Sequence, residues 1–181
     1  MRTATSLKLS TWVGIIFIVN FVFSVVSAQE IETINFSPDR DFLDKWQVGH
    51  DQQFDGGVIT EWVPMGETVE SWSKMFTSLN LAKTDLPSAE DSMKLLRDRM
   101  AKRCPNVIWN VIEKNKQDIL FEWRIENCSG NADQHNLQKI LDGKWNQFHL
   151  MYVRKVKELP ADEREQWLKV LRTSKILVRK E

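Results

Sequence analysis

The stretch CPNVIWNVIEKNKQDILFEWRIENC, Cys104 to Cys128, carries both cysteines of the chain at its ends and a polar segment between two apolar runs. Such a pattern reads as a β-hairpin, and its register can be tested by arithmetic, because a slip of one residue moves every side chain to the other face. A three-residue loop of Asn115, Lys116 and Gln117 makes the numbers of cross-strand partners sum to 232. Val107 then faces Ile125, Trp109 faces Trp123, Val111 faces Phe121 and Glu113 faces Ile119, which gives one nearly apolar face. Ile108 with Arg124, Asn110 with Glu122, Ile112 with Leu120 and Lys114 with Asp118 make a mixed one. A two-residue loop sets Trp109 against Glu122 and Val107 against Arg124, which spoils both faces. In the chosen register Cys104 and Cys128 are directly opposed. Opposed residues of antiparallel strands have Cα atoms about 4.5 to 5.5 Å apart, which a disulfide accepts. The competing reading, a reactive or metal-binding thiol pair, lacks both CxxC spacing and a neighbouring histidine.

A disulfide implies an oxidising compartment, and the first residues agree. Arg2 and Lys8 precede an apolar run of 15 residues, Trp12 to Val26, followed by Val26, Ser27 and Ala28, small at the first and third places. As a helix the run covers about 22 Å, short of the roughly 30 Å hydrocarbon core of a bilayer, so residues 1–28 read as a signal peptide rather than an anchor. Cleavage before Gln29 takes 28 of 181 residues and leaves 153, expected to form a single α+β domain over residues 29–181 with no integral membrane span. The exported part holds 23 basic and 25 acidic side chains. Nothing in that balance favours a nucleic-acid partner. The charge is uneven: Gln29 to Glu70 holds 10 acids against Arg40 and Lys45, and Arg154 to Glu181 holds 9 bases against 5 acids. The simplest explanation places the two ends near each other or solvates them separately; the alternative is a patch for a partner or a membrane surface.

Outward from the hairpin, LPSAEDSMKLLRDRMAKRCP is the clearest helix. Ser88 is its N-cap, Ala89, Met93, Leu96 and Met100 share one face, and Pro105 closes it. FLDKWQVGHDQQF and VITEWVP read as strands joined through Asp55, Gly56 and Gly57. GETVESWSKMF has a short helical period at Val69, Trp72 and Phe76, with a strand expected near Phe76 to Leu81. Asp142 and Gly143 read as a hairpin turn into a long strand from Trp145, apolar on both faces and therefore central. Pro160 opens a last helix with Trp167, Val170 and Leu171 on its buried edge. Gln29 to Arg40 shows no period and reads as a surface leader. The sum is an antiparallel sheet of five to seven strands packed by at least two helices, an α+β fold.

No motif specifies a reaction, a cofactor, a metal or a substrate. His50, His135 and His149 are scattered, Ser71, Ser73 and Ser78 lie outside any GxSxG context, and Asp39, Asp41 and Asp44 lack the glycine and closing glutamate of a calcium loop. Glu61 and Glu122 flank Trp62 and Trp123; a glycosidase would need such a pair at a defined separation, whereas alternation explains them as outward neighbours of inward tryptophans. Asn35 and Asn127 begin N-x-S sequons. The passages ITEWVPMGETVESWSKMFT and DQHNLQKILDGKWNQFHLMYVRKV resemble a family of exported bacterial proteins of unknown function, over most of the exported chain. The element order is similar, at the level of fold, to the α/β/α sandwich of the PsbP and DcrB-like proteins. That likeness implies an assembly or binding subunit and assigns no residue a role. The expectation is a non-catalytic exported protein, periplasmic or extracellular, binding a partner protein or small ligand on its sheet or beside the 88–103 helix. The rival is an envelope-acting hydrolase using Glu61 or Glu122.

The clasp has a measurable consequence. Closing a loop of 25 residues stabilises a fold by about 3 kcal/mol in the chain-entropy model. Replacing both Cys104 and Cys128 by serine is expected to lower the urea unfolding free energy by about that amount, and thiol titration of the oxidised protein should find no free cysteine.

Overall fold

A computed structural model describes residues 30–36, 45–128 and 130–180. Residues 1–28, expected to form a signal peptide, and Asp39, Asp41 and Asp44 lie outside the described residues. In chain order the elements are β1 Glu30–Asn35, β2 Trp46–Phe54, β3 Gly57–Pro64, β4 Lys74–Ala82, α1 Ala89–Arg103, β5 Ile108–Lys114, β6 Asp118–Ile125, β7 Gln134–Asp142, β8 Asn146–Arg154, α2 Ala161–Thr173 and β9 Lys175–Lys180. Seven strands form one antiparallel sheet in the order β2-β3-β4-β8-β7-β6-β5, and β1 pairs with β9 in a separate two-stranded sheet. The fold is α+β, and β8, apolar on both faces in sequence, is the middle strand of the seven.

Alternation along the strands sends the two helices to opposite faces. Ile119, Phe121, Trp123 and Ile125 of β6 pack with Ala89 and Met93 of α1, with Leu96 and Met100 partly buried beside them. Leu120 of β6 joins Phe76, Leu137, Phe148, Leu150 and Tyr152 on the other face, under Trp167, Leu168 and Leu171 of α2. Trp167 is the anchor of that layer: its ring stacks on Tyr152 at 4.0 Å between centroids and on Phe76 at 5.1 Å. Ser88 caps α1 by accepting from the Asp91 amide, as its position in the sequence requires. Asp142 adds a second cap from the sheet, its Oδ2 accepting the Ala89 amide at 2.7 Å.

The Cys104–Cys128 disulfide is formed, with Cα atoms 5.4 Å apart. The expected register holds from Ile108–Arg124 through Trp109–Trp123 and Asn110–Glu122 to Val111–Phe121, and the two indoles stack at 6.4 Å. It fails nearer the loop. A bulge between Val111 and Glu113 shifts the partners, so that Glu113 faces Leu120 and Lys114 faces Ile119. The reason is electrostatic as well as steric. In the unbulged register Glu113 would enter the apolar α1 face; the shift turns it to Arg172 of α2, whose Nε donates to it at 2.6 Å. Lys114 swings the other way, to Glu90 of α1 at 2.6 Å. Asn115 Oδ1 then accepts the Gln117 and Asp118 amides and closes the turn.

Three further expectations change. The helical period at Val69, Trp72 and Phe76 is not a helix: residues 65–73 form turns closed by Glu67, which accepts from the Ser73 amide at 2.6 Å and hydroxyl at 2.7 Å. Val69 and Trp72 still pack inward, on Val63, Met75 and Val153. Trp145 stands in a turn ahead of β8 and is 36% exposed, while the other six tryptophans among the described residues are in or against a core. The expected leader is in part β1, laid antiparallel on β9 with Glu30 opposite Lys180. The first strand of the acidic stretch and the last strand of the basic one therefore lie together, although Arg154, Arg164 and Arg172 of the basic stretch find their carboxylates elsewhere.

β1 also supplies the tie between the two sheets. The Glu32 carboxylate, 5% exposed as a residue, accepts the amides of Lys144 at 2.7 Å, Trp145 at 3.0 Å and Asn146 at 2.9 Å in the β7–β8 turn. Gly143 lets it approach, because a Cβ there would stand 2.3 Å from Glu32 Oε2. Glu32→Ala removes the acceptor of three part-buried turn amides and is expected to cost about 1 to 3 kcal/mol. Gly143→Ala should be destabilising in the wild-type background and less so beside Glu32→Ala, where the Asn146 carbonyl oxygen still stands 2.8 Å from the new Cβ; a double-mutant cycle of urea unfolding energies reads that non-additivity.

Candidate functional site

α2 crosses its face of the sheet with Trp167 inward, and the stripe Arg164, Leu168 and Arg172 turns toward the β5–β6 hairpin. Two clefts open along that line. The first, of about 410 Å³, is lined by Ile108, Asn110, Glu122, Trp123, Arg124, His135, Glu158 and Arg164.

At its centre Glu122 of β6 is held from four directions. Arg164 donates to it through Nε at 2.8 Å and Nη2 at 3.0 Å, a bidentate pair. Asn110 Nδ2, its cross-strand partner, donates at 3.0 Å. His135 Nε2 lies 3.2 Å away. Because His135 Nδ1 accepts the Leu159 amide at 2.9 Å, the neutral ring carries its proton on Nε2 and donates it to Glu122. Burial would raise the Glu122 pKa, but the hydrogen bonds from Arg164 and Asn110 and the guanidinium charge outweigh it and bring it down to about 2. Burial pushes the His135 pKa down, against the pull of Glu122, and the nearby charges of Arg124 and Arg164 push the same way. The remaining cation of the cleft, Arg124, meets Glu158 through Nη1 at 3.2 Å.

The second cleft, of about 470 Å³, is lined by Glu113, Lys114, Asn115, Asp118, Leu120, Lys139 and Arg172. Lys139 is buried there, donating to the Ser174 carbonyl at 3.0 Å, with Asp118 at 3.8 Å; burial lowers its pKa. That lysine ties β7 to the junction of α2 with β9.

The residues singled out in sequence do not converge. Ladder partners share a face, and Glu61 opposes Thr77, Thr77 opposes Met151, Met151 opposes Gln138 and Gln138 opposes Phe121. Glu61 thus lies on the α1 face and Glu122 on the α2 face, four strand spacings apart, about 19 Å at the usual strand separation. Glycosidase carboxylates stand about 5 to 9.5 Å apart. His149 belongs to a different cluster: its Nε2 meets Gln147 Oε1 at 2.8 Å and its Nδ1 meets Gln138 at 3.4 Å, and burial, opposed by Asp142, takes its pKa down to about 4. His50 sits within β2, and Ser71 and Ser73 bond within the 65–73 turns. In the basic C-terminal segment Arg154 pairs with Glu163, Arg164 with Glu122, Arg172 with Glu113, and Lys155 lies 4.2 Å over Trp72. The clefts lie beside α2 rather than beside the 88–103 helix. Arg164 was missed because its partner is 42 residues away in sequence; the available signal was a charged residue on the same helical edge as Leu168.

Compared with protein-family models, curated proteins and solved structures, the chain matches none.

The site fixes an acid response. Glu122 has a folded pKa below its unfolded value, so its contribution is present above about pH 4.5 and is lost as pH falls toward 2. His135 and His149 are depressed below 6.5, so each opposes folding as it is forced to charge below that pH. Stability should be level near pH 7, decline from pH 6.5 and fall more steeply below 4.5. Arg164→Met leaves Glu122 uncompensated and should cost about 2 to 3 kcal/mol at pH 7, with the loss shrinking below pH 4.5; urea titrations at stepped pH values measure both.

Proposed function

We propose that this protein is a non-catalytic component of the cell envelope, exported to the periplasm or beyond the cell, that binds a small ligand or a partner's terminal segment in the cleft between α2 and the β5–β6 hairpin. The observation that carries the reading is the saturation of Glu122. A general acid needs a raised pKa and a free proton, and a general base needs an open lone pair near neutral pH; Glu122 is acidified and accepts from Arg164 twice, Asn110 and His135. His135 has both nitrogens engaged. The cleft is therefore rigid and polar at its floor without a group poised for proton transfer, which suits recognition. Export is supported by the basic start and short apolar run of residues 1–28 and by the Cys104–Cys128 disulfide, a bond that persists outside the reducing cytosol. Among the described residues no helix is long and apolar enough to cross a membrane. The resemblance of the element order in sequence to the PsbP and DcrB-like proteins would imply an assembly or binding subunit as well.

Both sheet edges are poor docking sites by comparison. β2 and β5 each carry a bulge, between Val48 and His50 and between Val111 and Glu113, and bulged edges resist the addition of a further strand.

The test is a comparative capture from an envelope extract of the source organism, with the oxidised protein and with Ile108→Arg, which places a bulky cation at the cleft mouth. Ile108 is 45% exposed, so the substitution should leave the fold intact. A protein or small molecule enriched by the wild type and lost with Ile108→Arg is the expected result. Equal enrichment by both, or enrichment by neither, overturns the cleft as the binding site.

A further inference from the structure

Arg124 and Arg164 face the same cleft but differ in how firmly they are held. Arg164 is locked: Nε and Nη2 grip Glu122, and Nη1 reaches Glu165 at 3.2 Å. Arg124, one-quarter exposed, forms one ion pair among the described residues, from Nη1 to Glu158, whose side chain is 74% exposed. An ion pair with so exposed a partner is weak and readily exchanged. The backbone next to Glu158 is not free to follow, because the Leu159 amide is bonded to His135 and Leu159 itself is buried. Glu158 can therefore swing away without disturbing the floor of the site. Glu122 does not compete for Arg124, being neutralised by Arg164. What remains when Glu158 leaves is a guanidinium fork on a strand held on both sides, by Ile108 on β5 and His135 on β7, with the apolar Ile108 side chain at the mouth.

We propose that Glu158 stands in for the ligand, and that the cleft binds a carboxylate carrying a short apolar tail, its two oxygens taken by Arg124 and its tail lying against Ile108. The fork matches a carboxylate in two parallel hydrogen bonds, which a single Nη1 contact to Glu158 does not use. A cleft of about 410 Å³ is small for a drug-sized molecule and suits a ligand of modest length. The carboxylate could come from a free short-chain acid or from the C-terminus of a peptide; the chemistry at Arg124 is the same.

This inference rests on the reading of the cleft as a binding site, and the experiment separates the two. The oxidised protein, its Arg124→Gln, Arg124→Lys and Glu158→Gln variants, and Ile108→Arg are titrated with hexanoate, acetate, hexanol, and a tripeptide ending in leucine with a free or amidated C-terminus, followed by amide NMR shifts. Hexanoate or the free-acid peptide should move the resonances of residues 108–110, 122–124, 158 and 159, acetate more weakly and hexanol and the amidated peptide not at all. Arg124→Gln should weaken binding at least tenfold and Arg124→Lys by less, since lysine keeps the charge and loses the fork. Glu158→Gln should tighten it several-fold, because the internal competitor is gone. The discriminating result is that this increase vanishes when Glu158→Gln is combined with Arg124→Gln, since a nonspecific anion effect would also rise with lost negative charge but would persist without Arg124. Preference for hexanoate over the peptide, or the reverse, tells the two sources apart. Carboxylates that leave these resonances unmoved, or binding indifferent to Arg124, overturn the ligand class. If the envelope capture remains sensitive to Ile108→Arg in that case, the cleft stands as a binding site for another chemistry; if it does not, both readings fall.

Discussion

The Trp167 ring, stacked on Tyr152 and Phe76 with Trp46 edge-on at 5.9 Å, is the contact on which the rest of the α2 face depends. It fixes the rotation of the helix about its axis. Once that rotation is set, residues three before and five after Trp167 are aimed at the β5–β6 hairpin, and these are Arg164 and Arg172. Each finds a carboxylate there, Glu122 and Glu113, one at each end of the hairpin. Aromatic burial of this kind supplies most of the stabilisation, and the ion pairs, individually modest, supply registry. The two clefts are what is left between the helix edge and the hairpin when those pairs have formed.

The same logic explains the bulge in β5. A regular hairpin would satisfy the disulfide and the tryptophan pair but would turn Glu113 into the apolar face under α1. One extra residue lets Glu113 meet α2 and Lys114 meet α1, so each helix is tied to the hairpin by a charge on its own side. The bulge also spoils an edge that would otherwise invite another strand. Local strand pairing gave way to the demands of two layers that the strand sequence does not itself contain.

Much of the local architecture was legible because it depends on residues close in the chain. Helix α1 follows from Ser88, the spacing of Ala89, Met93, Leu96 and Met100, and Pro105. The base of the hairpin, and with it the disulfide, follows from alternation between Cys104 and Cys128. The failures have a common cause. Val69, Trp72 and Phe76 share a helical spacing, yet Val69 and Trp72 pack from a turn whose shape is set by Glu67, and Phe76 belongs to a strand. Asp142 and Gly143 do stand at the β7–β8 hairpin, as their sequence suggests, but their further roles were hidden: Asp142 caps α1, and Gly143 leaves room for Glu32 of β1 to approach closely. Glycine was the right residue for a reason that sits more than a hundred positions away.

What the sequence determined by itself is what short-range periodicity and chemistry can carry: an α+β chain, one disulfide, two helices with their buried faces, a central strand in the later half, and an N-terminal segment of signal-peptide pattern. It also carried the uneven charge, whose basic arginines were matched with Glu113, Glu122 and Glu163 only by the tertiary packing. The tertiary structure alone decided that Glu61 and Glu122 stand on opposite faces, that Glu122 is engaged by Arg164 and His135, and that Arg124 is left with a partner it can exchange. Those facts depend on how far α2 slides and turns on the sheet, a quantity set by the packing of Trp167 and by no residue near Glu122 in sequence.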